Sequence, residues 1–176
     1  MEMFQLVDRR GMPVGKASRE ECHGNPLLIH LVVHVNVFDP AGRLFLQKRS
    51  MAKDTNPGLW DTSVGGHVMA GEAVEAAVQR EAREELGIDA SAAAYLYSWL
   101  REGSFESEFA ACYTLEWNGA IRTEPEEIEE GRFFTLAEAG ALMGTRTLTP
   151  MFEEEWPRLL RAIGRSIAWR PPGESP

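Results

Sequence analysis

The chain has 176 residues, 44% of them apolar, and a formal net charge of −9. That apolar content fills one hydrophobic core and predicts a single domain, while the acidic balance excludes a nucleic-acid surface, which needs a basic stripe. No apolar run is long enough to span a membrane and no signal-peptide pattern follows the Met-Glu-Met start, so the expectation is a cytoplasmic protein without a membrane partner.

In chain order, Phe4–Val7 and Pro13–Ser18 read as short strands around the turn at Arg10-Gly11, and Arg19–His23 as a helical start. Leu28–Phe38, rich in Leu, Val and His, predicts a central strand. Asp39-Pro40-Ala41-Gly42 turns the chain into Leu44–Lys48, expected to close a hairpin on that strand. Residues 51–60 form a loop, and a helix begins at Glu72. Ala94–Leu100 and Glu108–Leu115 alternate as an antiparallel pair with Gly103 near the turn. The acidic run Glu124–Glu130 reads as a solvated loop and helix edge. Arg132–Phe134 enters a helix over Thr135–Ala141, with Thr135 as N-cap and Glu138 three residues later. Phe152–Ile167 predicts a terminal amphipathic helix, and Arg170–Pro176 a disordered Pro-rich tail. Cys22 and Cys112, the two cysteines, are too few for a disulfide framework and read as buried thiols, although the sequence alone leaves a bridge between them open.

The helix after Glu72 carries a conflict. At about 100° per residue, Ala73, Val74, Ala77, Val78 and Ile88 share one arc, with Glu75, Gln79, Arg80 and Arg83 opposite. Glu81, Glu84 and Glu85 fall on the apolar arc and are expected to point inward. Crowded inward carboxylates either take up protons or surround a cation, and a hard divalent ion such as magnesium suits oxygen ligands. The competing reading is a solvated acidic helix end with i, i+4 partners such as Arg80 and Glu84.

Residues 66–88, GHVMAGEAVEAAVQREAREELGI, resemble the Nudix box, G-x5-E-x7-R-E-U-x-E-E-x-G-U with U aliphatic, at every fixed position. Gly66, Glu72, Arg80, Glu81, Glu84, Glu85 and Gly87 stand at the invariant places, with Ala82 and Ile88 at the aliphatic ones. The resemblance implies one Nudix domain over residues 1–169, an α/β/α sandwich whose mixed sheet has helices on both faces. It further implies that Glu81, Glu84 and Glu85, together with Gly66, form a magnesium or manganese site and carry catalysis. Glu72 paired with Arg80 would brace the helix, and Gly87 is a third structural position.

Over residues 4–135 the chain is also similar to the branch that holds isopentenyl-diphosphate isomerases and their hydrolase relatives, through VDRRGMPVGKASREECH, LFLQKRS and PGLWDTSVGGH. In the isomerases three histidines and two glutamates hold a second metal. The resemblance places those roles on His23, His30, His67, Glu106 and Glu108, a set suited to a transition metal. Glu106 and Glu108, two apart on a strand, face the same side; the alternative is that they face water, and His34 reads as an ordinary core or surface histidine. Arg49 and Lys53 match positions that hold the diphosphate. Trp60 either lines the pocket or packs its loop on the sheet.

The isomerases carry a cysteine where this chain has Gly65, and they lack parts of the box that is complete here. Glycine offers no acid or base. The expectation is therefore a metal-dependent hydrolase that directs water at a phosphoanhydride of a small-molecule diphosphate, nucleoside di- or triphosphates first, from a monomer or homodimer. An isomerase, or a non-catalytic module that binds a diphosphate, are the alternatives.

Overall fold

The computed structural model describes residues 2–165. In chain order the elements are β1 Met3–Val7, β2 Pro13–Ser18, α1 Arg19–Cys22, β3 Ile29–Phe38, β4 Leu44–Arg49, β5 Trp60–Asp61, β6 Val64–His67, α2 Val74–Leu86, β7 Ala94–Glu102, β8 Ser107–Glu116, β9 Ile128–Phe134, α3 Leu136–Ala141 and α4 Pro150–Arg165. Residues 166–169 of the expected domain and the tail at Arg170–Pro176 lie outside the described residues.

Strand β3 organises the sheet. It runs parallel to β8 along its whole length, from Ile29 against Ser107 to Phe38 against Glu116. Its other edge takes β1 at His30, β6 from Val32 to Val35, and β4 at Phe38 only. Every β3 residue after Ile29 is buried, because helices cover both faces and leave no solvent-facing row. Leu31, Val33, Val35 and Val37 pack on Ala77, Val78, Ala82 and Leu86 of α2. On the opposite face Val32 packs with Trp99, Ala110, Cys112 and Met151. Next to it, α3 and α4 cover Phe38, Leu44, Leu46 and Phe134 through Ala139, Phe152, Trp156 and Leu159.

The expected hairpin needs correction. Its turn forms, with Asp39 Oδ1 accepting from the amides of Ala41 and Arg43 and Gly42 at a φ of 73°. Beyond Phe38 and Leu44, however, the strands separate, because β6 occupies the edge of β3 that a hairpin partner would use. β4 pairs with β9 and β5 instead. Ser63 bridges the split: its hydroxyl accepts from the amide of Val37 and donates to the carbonyl of Phe45.

Helix α2 begins at Val74 and ends at Gly87, whose φ of 64° lets its N–H reach back to the last turn. The acidic run at 124–130 passes into strand β9 and is not a helix edge. Both cysteines are free and buried. No helix among the described residues is long and apolar enough to cross a membrane.

Candidate functional site

A cavity of about 560 Å³ is lined on one side by β3, β6, α2 and β8 and on the other by β4, β5 and the residues around them, with Pro150 and Met151 from the first turn of α4. It gathers most of the residues singled out from the sequence.

Helix α2 presents its carboxylates to this cavity at different depths. Glu81 is 9% exposed, and burial raises its pKa despite the hydrogen bond from Arg80. Glu85 accepts hydrogen bonds from Gln47 Nε2 at 2.9 Å and from the Gly65 amide at 3.2 Å. Burial, with Glu81 adding to it, pushes Glu85 up to about 8. Glu84 departs from the expectation of an inward carboxylate. Its side chain is 59% exposed, because it lies about 80° from Val74 around the helix, at the margin of the buried face. It lines the cavity mouth and takes a 3.2 Å hydrogen bond from Arg80. Gly66 leaves the room that Glu81 occupies: a Cβ there would stand 2.0 Å from Glu81 Cδ, so any side chain at 66 would displace that carboxylate.

Arg80 ties these groups together. Nε and Nη2 donate to the two oxygens of Glu72 at 2.9 and 3.0 Å, Nη2 also to the carbonyl of His67, and Nη1 to Glu81 at 2.6 Å. Its guanidinium is held charged, chiefly by the bond to Glu72. Glu72 also accepts the amide of Met69, so one ion pair fixes the loop before α2 against the middle of the helix.

At the other end of the cavity, ring nitrogens of His23, His30 and His67 come within 4.8 Å of one another, as do donor atoms of His30, Glu106 and Glu108. His23 Nε2 is 3.4 Å from Glu106, and His30 Nε2 is 3.8 Å from Glu108. His30 is completely buried, yet neither ring nitrogen makes a well-formed hydrogen bond. Burial, then the neighbouring His23, lowers His30 to about 4; burial and His30 likewise push His67 well down. Both are therefore neutral near pH 7, the state in which imidazole ligates a metal. Burial, with Glu106 beside it, raises Glu108 to about 7. Orphaned nitrogens next to acidic oxygens fit a transition ion, whereas the oxygen set of α2 fits a hard divalent one.

Two cations line the side formed by β4 and β5, each engaged by an acid. Arg49 donates to Thr55 at 3.0 and 3.3 Å and reaches Asp61 at 3.4 Å; Lys53 pairs with Glu127. Trp60 does not line the cavity. Its ring stands edge-on to Phe134 with Arg132 over it, so packing at the sheet edge replaces the expected pocket wall. Several lining residues carried little signal in the sequence, among them Asp61, Gln47, Thr62 and Arg19. Glu124 and Glu127 line it too, although their acidic run read as solvated surface.

Residues 28–154 match the family model of the NUDIX domain. The chain belongs to the Nudix family. This Nudix protein is 36% identical to an isopentenyl-diphosphate Delta-isomerase of Streptomyces griseus over 95% of its own chain and 90% of that one. It is 31% identical to an uncharacterised Nudix hydrolase of Listeria monocytogenes, over 86% and 90%. Among solved structures it resembles a Deinococcus radiodurans protein at a TM-score of 0.76 and 28% identity, over 89% of this chain and 98% of the other. The sandwich architecture expected from the box is the architecture of the chain.

Proposed function

We propose that this Nudix protein is a divalent-metal-dependent hydrolase of a nucleoside diphosphate linked to a further group, with nucleoside di- and triphosphates as first substrates. The observation that carries the reading is the strand Gly65-Gly66. It lies against the carboxylates of Glu81 and Glu85 and offers the cavity no thiol or other proton carrier of its own. Glu81 and Glu85, with Gly66, would hold magnesium or manganese from the wall, and Glu84 from the mouth. When bound, such an ion neutralises phosphate oxygens and makes water a better nucleophile.

The chain's own groups do the rest. Glu84, open to solvent, takes the proton of the attacking water. Arg49 and Lys53 exchange Asp61 and Glu127 for the phosphates of the incoming substrate. Glu72 and Arg80 hold α2 in register with the loop at His67, so the carboxylates keep their spacing. His23, His30, His67, Glu106 and Glu108 would hold a second, transition-metal ion.

Phosphate release with magnesium or manganese, measured across nucleotides and other diphosphates beside Glu84→Gln, tests the reading. Release by the wild type that falls at least about tenfold in the variant supports it; no release above the variant ends it. The isomerase reading has its own support, in the similarity to isopentenyl-diphosphate isomerases and the gathered His and Glu set. Conversion of isopentenyl diphosphate to its isomer in the same samples would establish that reading instead. Metal analysis with and without His30→Ala checks the second ion, and an unchanged transition-metal content would dismiss it.

A further inference from the structure

The histidine that the sequence left as ordinary, His34, is 6% exposed. It lies in the middle of β3 on the cavity side, opposite Gly65 in the neighbouring strand. Its Nδ1 is 2.5 Å from Oε2 of Glu155, a carboxylate of α4 with no solvent exposure. Oε1 of Glu155 accepts the hydroxyl of Tyr97 at 3.0 Å. Both carboxylate oxygens are therefore bound, and Nδ1 is committed to one of them. A histidine that spends one nitrogen in this way presents the other. That other nitrogen, Nε2, has no hydrogen-bond partner among the described residues. The edge of the ring lies beside Gly65: a Cβ there would stand 3.6 Å from Cδ2 and 3.9 Å from Nε2. Glycine at 65 leaves the nitrogen uncovered.

The charge of the dyad suits an anion. Burial works against charge on either partner, but the Glu155 carboxylate more than offsets this and raises His34, while His34 keeps Glu155 low. The other acids that act on the ring are engaged elsewhere. Asp61 is beside Arg49 and accepts from Thr149, and Glu108 is beside Arg101. A buried ion pair with satisfied neighbours is a poor source of stability and leaves one N–H donor without use in the folded protein.

We propose that His34, oriented by Glu155, is a further substrate-contacting residue whose Nε2–H donates to a phosphate oxygen of the bound diphosphate. Glu155 is its positioning residue, and Gly65 is the opening that allows the contact. The inference deepens the hydrolase reading and rests on it for the choice of ligand, a diphosphate.

The test uses the whole protein, labelled with ¹⁵N-histidine, and magnesium imidodiphosphate, a diphosphate that resists hydrolysis. Saturation should shift the Nε2 resonance of His34, identified by its absence in His34→Gln. His34→Gln and Glu155→Gln should weaken binding of the probe about 10- to 100-fold. Gly65→Val sets a side chain against Cδ2 and Nε2 of His34 while leaving the Nδ1 bond to Glu155 in place. It should weaken probe binding as much, with magnesium affinity and Tm measured beside it to separate this from the contacts of residue 65 with Thr62 and Glu85. In turnover of whichever nucleotide the phosphate-release panel selects, Glu155→Gln should raise KM by about the factor lost in probe affinity and lower kcat less, a split that general loosening of the fold would not give.

An unmoved His34 resonance at saturation, or full affinity in Gly65→Val, overturns the proposal. If the Gln variants do not fold, the wild-type resonance and Gly65→Val decide it. An enzyme that hydrolyses nothing but still shifts His34 with imidodiphosphate would refute the hydrolase reading and leave the contact standing.

Discussion

Gly66 and Glu81 occupy almost the same space, and this makes the glycine a sensitive probe of the α2 carboxylates. A methyl at 66 would overlap the Glu81 carboxyl carbon, so the side chain must swing away, although no backbone has to move. Gly66→Ala should therefore lower magnesium affinity at least about tenfold, by calorimetric titration, with little change in Tm, because the lost charge–oxygen contact is worth more than the packing. Glu85 supplies a pH signature. Its folded value of about 8 lies above the ordinary 4.5, so the metal-free folded state keeps the proton longer than the unfolded chain. The stabilisation is complete below about pH 4.5 and is lost as pH rises through about 8. Urea unfolding without metal should show this slope, and Glu85→Gln should flatten it. Since a bound ion needs the carboxylate, adding magnesium at pH 7 should release protons, and the apparent affinity should climb up to about pH 8.

At the scale of elements, the buried face of α2 was legible from its apolar period. Its end was not read from the sequence; Gly87 closes the helix with a left-handed backbone, which predicts that Gly87→Ala destabilises by about 1 kcal/mol in thermal unfolding. Glu84 shows the limit of the same argument. A helical wheel assigns an arc but not the width of the burying neighbour, and the sheet covers Glu81 while leaving Glu84 at the edge. The partner of β4 was not legible, since a turn signal reports that the chain reverses and says nothing about which strand already holds the edge of β3. The sequence left Trp60 between lining the pocket and packing on the sheet for a related reason: its ring packs on Phe134 and Arg132, more than 70 positions later in the chain. The link between His34 and Glu155 spans 121 positions, and no local period or motif joins them.

For the whole molecule, the second helical layer holds the sheet from the side away from α2. Trp156 lies among Phe38, Leu46, Phe134 and Phe152, so Trp156→Ala should cost about 3–5 kcal/mol in denaturant unfolding. Glu155 is its neighbour, and that substitution should also lower diphosphate affinity through the loosened contact to His34, a coupling that a binding titration on the folded variant would read. The sandwich itself could be anticipated from the box, and with it much of the cavity lining, whereas Asp61, Gln47, Thr62, Arg19 and Arg101 could not, because they reach the cavity from elements outside the box and no local pattern marks them.

The parting of β3 from β4, bridged by the single hydroxyl of Ser63, turns one slab into two jaws. The jaw of β3, β6 and α2 carries the carboxylates, and the jaw of β4, β5 and β9 carries Arg49, Lys53, Asp61 and Glu127 close to it. On the proposed reading, the first jaw determines what is done to a diphosphate and the second which diphosphate is admitted. The loops of the second jaw can then diverge separately, since β3 and β4 pair at one residue only and the joins that must be kept are the hydroxyl of Ser63, the Gln47–Glu85 bond and the packing of Phe45 and Ile128 in the core with α2.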